Sequence, residues 1–83
     1  MKVLFFARLR EVLGSETLAI DDAECPANVG GLRALVLSRA SGEFAEAFGD
    51  ANVFCAVNQR VVDDAHPLTA GDEVAFFPPM TGG

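Results

Sequence analysis

The fold is decided near the end of the chain, by the stretch Glu73-Val74-Ala75-Phe76-Phe77-Pro78-Pro79. The apolar residues before the prolines predict a strand, in which successive side chains point to opposite faces. The prolines end that strand, because proline donates no ladder hydrogen bond and holds φ at about −65°. We therefore expect a last strand followed by a stiff, extended segment.

A first strand is predicted over Lys2 to Ala7, where both faces are apolar, as is typical of a strand inside a sheet. If the first and last strands lie side by side, alternation places one set of side chains under a covering helix and the other set on an uncovered face. The expected covered set is Val3, Phe5, Val74 and Phe76, with Ala7 on the same side, and the expected uncovered set is Leu4, Phe6, Ala75 and Phe77.

The main helix is predicted to begin after Asn28, whose side chain can cap the first turn, and to end at Gly42. Gly30 and Gly31 weaken its first turn, so the helix should depend on packing against the sheet. Its apolar residues recur at spacings typical of one buried stripe: Val29, Leu32, Leu35 and Val36. The other predicted elements are a helical turn over Arg8–Leu13 ended by Gly14, a strand over Thr17–Ile20, a helical turn over Glu43–Phe48, a strand over Val53–Val57, a turn at Asn58-Gln59 and a short strand at Val61-Val62.

This order of elements predicts an α+β fold, a mixed sheet with one main helix packed across it, which is the ubiquitin-like β-grasp arrangement. A chain of 83 residues has room for a single domain. We expect that domain over residues 1–77 and a flexible C-terminal tail over residues 78–83.

Composition and charge argue against several classes of function. A net charge of −6 disfavours nucleic acid as a partner, because binding a phosphate backbone needs a dense Lys and Arg patch. No apolar run reaches the ~20 residues that span a bilayer, so we expect no membrane association and a cytoplasmic protein. Cys25 and Cys55 lack further ligands at metal-binding spacing and are expected to be buried or half-buried thiols.

The residues do not predict a stand-alone enzyme. His66 is the only histidine and precedes a proline in a stretch typical of a turn, and no serine lies in a nucleophile motif. Acidic pairs such as Asp21-Asp22 and Asp63-Asp64 are typical of solvated turns. The predicted uncovered face and the tail are then the features that point to a function.

The tail runs Pro78, Pro79, Met80, Thr81, Gly82, Gly83. Six extended residues reach at most about 20 Å, far enough to enter the active site of another protein. The prolines stiffen its base, and the glycines, which have no Cβ, can pass through a narrow channel. A carboxylate on Gly83 is a poor electrophile, so its use as a chemical handle requires activation, for instance as an acyl-adenylate made with ATP.

Three stretches resemble one known family, the small, sulfur-carrier subunits of molybdopterin synthases. They are Val3–Glu11, Ala56–Gln59 and Leu68–Gly83, and the resemblance extends over essentially the whole chain. The last stretch is the most specific, since a Gly-Gly end alone is shared by ubiquitin-like carriers in general. Val61 stands where a larger aliphatic residue can occur, and Met80 where a branched apolar residue is common.

The resemblance implies that Gly83 is adenylated by an ATP-dependent activating enzyme and converted to a thiocarboxylate, a 1-thioglycine. The tail then enters the large synthase subunit, in a heterotetramer, and delivers sulfur to a cyclic pyranopterin precursor of the molybdenum cofactor. The chain itself would bind no cofactor and would not be catalytic alone. Carried over by position, the reacting residues are Gly82 and Gly83, and the partner-binding residues are Phe6, Arg10, Val61, Phe77, Pro78, Pro79, Met80 and Thr81.

Other functions fit the same features. A sulfur carrier for thiamine biosynthesis would share the fold, the adenylation and the Gly-Gly end, but such carriers look shorter and lack the Phe-Phe-Pro-Pro block. A ubiquitin-like protein modifier would instead form isopeptide bonds with lysines. A plain interaction module with an inert tail is a further alternative.

Overall fold

A computed structural model describes residues 1–50 and 52–78, and its sheet has the predicted mixed topology. Five strands lie in the order β2-β1-β5-β3-β4, with β1 (Lys2–Phe5) and β5 (Glu73–Phe77) parallel and adjacent. The remaining neighbours are antiparallel: β2 (Thr17–Ala19) pairs with β1, and β3 (Phe54–Val57) pairs with both β5 and β4 (Arg60–Val62). The α+β, β-grasp prediction is confirmed.

Three α-helices accompany the sheet. They are α1 (Arg8–Leu13), α2 (Val29–Arg39) and α3 (Gly42–Phe48), and a 3₁₀ turn covers Asp22–Glu24. Gly14 ends α1 with a φ of 77°, the left-handed conformation that glycine adopts without strain. Within residues 1–50 and 52–78, none of the helices combines the length and apolar character needed to cross a membrane.

One face of the sheet carries the core. Its predicted covered residues Val3, Phe5, Val74 and Phe76 are all essentially inaccessible to solvent. The helices supply the opposing side chains, which are Leu9 from α1, Val29, Leu32 and Val36 from α2, and Phe44 and Phe48 from α3. Phe48 meets Phe76 edge to face at 4.9 Å between ring centroids, a geometry that favours aromatic pairs.

The first turn of α2 is tied to the loop before β5. Asn28 caps the helix as predicted, its side-chain oxygen accepting from the Gly31 N–H at 2.8 Å. The N–H groups of Val29 and Gly30 donate to the backbone carbonyls of His66 and Asp64, so the free amides of this helix end have partners. A Cβ on Gly30 would lie 3.4 Å from Asp64, which shows how closely the loop approaches. Gly30 and Gly31 predict that α2 depends on packing for its stability, and this loop supplies part of that packing.

Three local predictions are wrong. β1 ends at Phe5, and Ala7 is exposed with a φ of 53°, because the chain must turn at once into α1. α2 ends at Arg39, and Gly42 instead begins α3, where its φ of 58° allows the sharp change of direction between the two helices. Leu35, expected in the buried stripe of α2, is only half-buried.

Candidate functional site

Within residues 1–50 and 52–78, no helix covers the second face of the sheet, which becomes more apolar toward the end of β5. Strand registers place Lys2 beside Glu73 at one end, then a row formed by Thr17, Leu4, Ala75, Ala56 and Val61. The last row is Phe6, Phe77 and Phe54, the N–H of Phe6 continuing the ladder by donating to the Phe76 carbonyl at 3.2 Å. These last two rows are called the open face below.

The aromatic row is the part of the open face closest to Pro78. Phe54 and Phe77 stack across adjacent strands, with ring centroids 5.8 Å apart and planes inclined by 28°. Phe6 and Phe54 are 48% and 44% exposed, and Val61 is 65% exposed. Large apolar side chains gathered this way on one surface are typical of a protein-binding site.

The open face itself offers no ionisable group for catalysis. Apart from Thr17 at one edge, its two rows consist of aromatic and aliphatic side chains, so it provides apolar surface for a partner. The arrangement can therefore hold another protein against the sheet beside Phe77, where β5 ends.

Two of the predicted partner residues, Phe6 and Phe77, lie together in the aromatic row, and Val61 lies in the neighbouring row on the edge strand β4. Arg10 lies apart from them on α1. It is exposed, and its guanidinium is 3.7 Å from the Glu16 carboxylate. The structure thus groups three of these residues on one surface and places Arg10 on a different element, α1.

Pro78 is the last residue of the chain that the structure describes. It follows β5 directly and lines a small pocket of about 120 Å³ together with Arg8, Leu9, Ala47, Asp50 and Val53. The predicted tail residues Pro79, Met80, Thr81, Gly82 and Gly83 lie outside the described residues. β5 ends at Phe77, and the predicted division into a domain over residues 1–77 and a tail over residues 78–83 stays a prediction.

Phe54 and Ala56 belong to this surface but are missing from the predicted uncovered set. Cys55 and Val57 are buried, so the alternation of β3 puts Phe54 and Ala56 on the open face. The signal is present in the sequence, since the strand itself is predicted, and assigning its two faces would have been enough to find Phe54.

Neither cysteine belongs to this surface. Cys55 is buried in the core, and burial raises the pKa of its thiol from 9.0 to about 11, although the nearby Arg33 charge opposes part of that rise. Cys25 is half-buried and free. Both thiols lie where the sequence predicts, as buried or half-buried groups.

A β-grasp domain with a parallel central strand pair, an apolar open face and a chain that leaves the sheet beside that face belongs to the ubiquitin-like class of proteins. Comparison with known proteins shows which family within this class the chain belongs to. The chain belongs to the ThiS family, whose family model matches residues 3–83.

Two curated relatives and a solved structure illustrate the similarity. The chain is 47% identical to the molybdopterin synthase sulfur carrier subunit of Escherichia coli over 83 residues, covering 100% of this chain and 99% of that protein. It is 34% identical to small archaeal modifier protein 1 of Haloferax volcanii, with 100% of both chains covered. The crystal structure of SAMP1 from Haloferax volcanii superposes with a TM-score of 0.64 at 34% identity, covering 99% of this chain and 97% of that one.

Proposed function

We propose that this chain is the sulfur carrier subunit of a molybdopterin synthase. The observation that carries the proposal is its 47% identity to the Escherichia coli sulfur carrier subunit along the full length of both proteins. The chain acts as the sulfur-donating subunit of a heteromeric enzyme and is not catalytic alone.

Gly83 is the reacting residue in this proposal, which requires it to be the last residue of the mature chain. An activating enzyme joins the Gly83 carboxylate to the α-phosphate of ATP, releasing pyrophosphate and leaving a mixed acyl-phosphate anhydride. A persulfide from a sulfurtransferase system attacks the carbonyl carbon and expels AMP, which gives an acyl disulfide. A second thiol then reduces this disulfide, leaving the thiocarboxylate on Gly83 and a disulfide between the second thiol and the donor. Adenylation converts a resonance-stabilised carboxylate into a good electrophile, because AMP is a far better leaving group than oxide.

The large synthase subunit is the partner in the second half of the cycle. The thiocarboxylate sulfur displaces an oxygen substituent from a carbon of the pyranopterin precursor, which forms a thioester between the precursor and Gly83. Water hydrolyses this thioester, leaving a thiol on the precursor and restoring the Gly83 carboxylate. Repeated transfer builds the dithiolene that holds molybdenum. Gly82, beside the reacting residue, keeps the approach free of side chains.

The geometry of the open face supports a docking role. Phe6, Phe77 and Val61 form an apolar surface, and the chain passes from Phe77 directly to Pro78, so a partner bound there lies next to the point where the tail starts. The remaining residues Pro79 to Gly83 span at most about 17 Å when extended. Docking on the open face therefore brings a partner active site within reach of Gly83, with Arg10 and tail residues Met80 and Thr81 as further contacts.

Reconstitution tests the proposal. The purified chain is incubated with ATP, a sulfur source and the activating enzyme, and its intact mass should rise by the difference between one sulfur and one oxygen atom. Adding the large subunit and the pterin precursor should return the mass to its starting value and yield a sulfur-containing pterin. Transfer to a thiazole precursor, with none to the pterin, would instead assign the chain to thiamine biosynthesis.

A second function is favoured by one specific observation, the 34% identity to small archaeal modifier protein 1 across both full chains. In that case the activated Gly83 carbonyl would form an isopeptide bond with a lysine amine. Tryptic digests of cell lysates analysed by mass spectrometry distinguish the two. Arg60 is the last residue of this chain after which trypsin cuts, so a Val61–Gly83 remnant on lysines supports a modifier, and its absence together with thiocarboxylate supports a carrier.

A further inference from the structure

Apolar surface continues from the open face past the edge of the sheet. Phe54 and Val61 of the open face also line a groove of about 820 Å³ that continues around β4 to α2. There the groove meets Leu37, which is 44% exposed although it is a leucine on the main helix. Within the described residues, Leu37 is the one large, exposed apolar side chain outside the open face.

The floor of the groove is apolar and one of its walls is a strand edge. Ala34 and Leu37 come from α2, Phe48 from the end of α3, Val53 from the segment before β3, and Val62 from β4. In the part of the chain that the structure describes, β4 is the last strand of the sheet and pairs only with β3, so its outer edge carries backbone groups that can bind an added extended segment.

The charges at the rim indicate the chemistry of the occupant. The groove is lined by four charged side chains, Arg33, Asp50, Asp63 and Asp64. Arg33 forms an ion pair with Asp64, with 2.7 Å between the guanidinium Nε and the carboxylate Oδ1. In residues 1–50 and 52–78, Asp50 and Asp63 form no ion pair and accept only from the backbone N–H groups of Asn52 and Ala65. An occupant that carries a lysine or arginine between apolar residues would complement this rim.

The size of the open face gives an independent reason for a larger interface. Phe6, Phe54 and Val61 each expose on the order of 100 Å² of accessible surface, so the open face as a whole offers a few hundred Å². A stable interface buries on the order of 800 Å² on each partner, so surfaces that flank the open face have to contribute. The tail is one such surface, and the groove is the apolar surface that continues the open face on the β4 side.

We infer that the groove between α2 and β4 is a second docking element for the large synthase subunit, and that it takes one extended, apolar segment of that subunit carrying a basic side chain. This inference rests on the proposed function. The large subunit then holds the domain on two sides of β4, with Leu37 as an apolar contact outside the open face.

Calorimetric titration of the chain against the purified large subunit tests this, using variant Leu37→Lys. The substitution places a positive charge on the apolar floor of the groove, opposite a basic segment, and should raise Kd roughly tenfold. Ser38→Lys is the matched control, because Ser38 is exposed on the same helix, lies outside the groove and receives the same charge; its Kd should stay within about twofold of the wild type. If the lysine variant fails to fold, Leu37→Ala replaces it in the titration, and its Kd should be about threefold higher than that of the wild type.

Each outcome has a distinct meaning. Wild-type binding by Leu37→Lys or Leu37→Ala, or equal weakening by Ser38→Lys, overturns the groove as a docking element. If those variants bind normally while Phe77→Asp does not, the proposed function stands without the groove. A wild-type chain that neither binds the large subunit nor transfers sulfur removes the proposed function itself.

Discussion

Phe54 and Phe77 stack across β3 and β5 on the open side of the sheet, 5.8 Å between ring centroids. Their stacking fixes a flat aromatic surface immediately before Pro78, where the sheet ends. Two rings held in place by each other lose little further side-chain freedom when a partner covers them, which favours tight binding. Pro78, which begins the tail, thus follows directly after an aromatic pair whose side chains are already ordered before a partner binds.

Phe77→Asp should weaken binding of the large subunit. The substitution breaks the stacked pair and places a carboxylate in an apolar contact, so a loss of about 2 kcal/mol, or roughly 30-fold in Kd, is expected. Titration calorimetry measures the change. Ser38→Asp adds the same charge on an exposed position of α2 and should bind like the wild type; equal affinity of the two variants would remove the open face from the interface.

Gly82→Val should abolish thiocarboxylate formation without unfolding the domain. The added side chain would obstruct a narrow channel that admits glycine, whereas residues 1–77 contain the entire described sheet. Intact mass after incubation with the activating enzyme, ATP and a sulfur source gives the result. Gly71→Ala is the control, because a Cβ there meets nothing within 4 Å. Full conversion of the Gly82→Val chain would contradict the threading role of the tail.

The strands and the division between their faces can be predicted from the sequence because alternation in β1 and β5 is nearly unbroken. Val3 and Phe5 pair with Val74 and Phe76 in the parallel register, so a single pattern of alternation assigns both strands at once. The same alternation is sufficient to place Phe6 and Phe77 together on the open face, where they are found.

The importance of α3 cannot be predicted in the same way. Only Phe44 and Phe48 are buried in this short helix, and whether such a pair meets the sheet depends on the turn that precedes it. That turn is made at Gly42 with a positive φ, and a glycine between two helical stretches is equally compatible with a helix end. The groove has no signature in the sequence either, because it is formed by elements far apart along the chain.

Phe44→Ala should destabilise the domain strongly. Phe44 is 5% exposed and meets Phe5 edge to face at 5.3 Å, so its removal leaves a cavity in the aromatic core and should cost about 3–5 kcal/mol. Urea unfolding followed by circular dichroism measures the loss. Phe6→Ala removes an equally large ring from the exposed surface and should cost less than about 1 kcal/mol. Similar losses for the two variants would mean that α3 does not close the core.

The buried thiol of Cys55 should make folding stability depend on alkaline pH. Its pKa is about 11 in the folded chain against 9.0 when exposed, so above pH 9 the unfolded state loses its proton first. The contribution is fully present below pH 9 and is lost as the pH rises toward 11, by an amount on the order of 2–3 kcal/mol.

Urea midpoints of the wild type and of Cys55→Ala, measured from pH 7 to pH 11, isolate this contribution, since the two chains differ only at residue 55. Below pH 9 the wild type should exceed the variant by a constant margin, because the cavity cost of the alanine does not depend on pH. Above pH 9 the margin should shrink. A margin that stays constant to pH 11 would mean that the thiol ionises as readily in the folded chain as in the unfolded one, and that the core around β3 admits water.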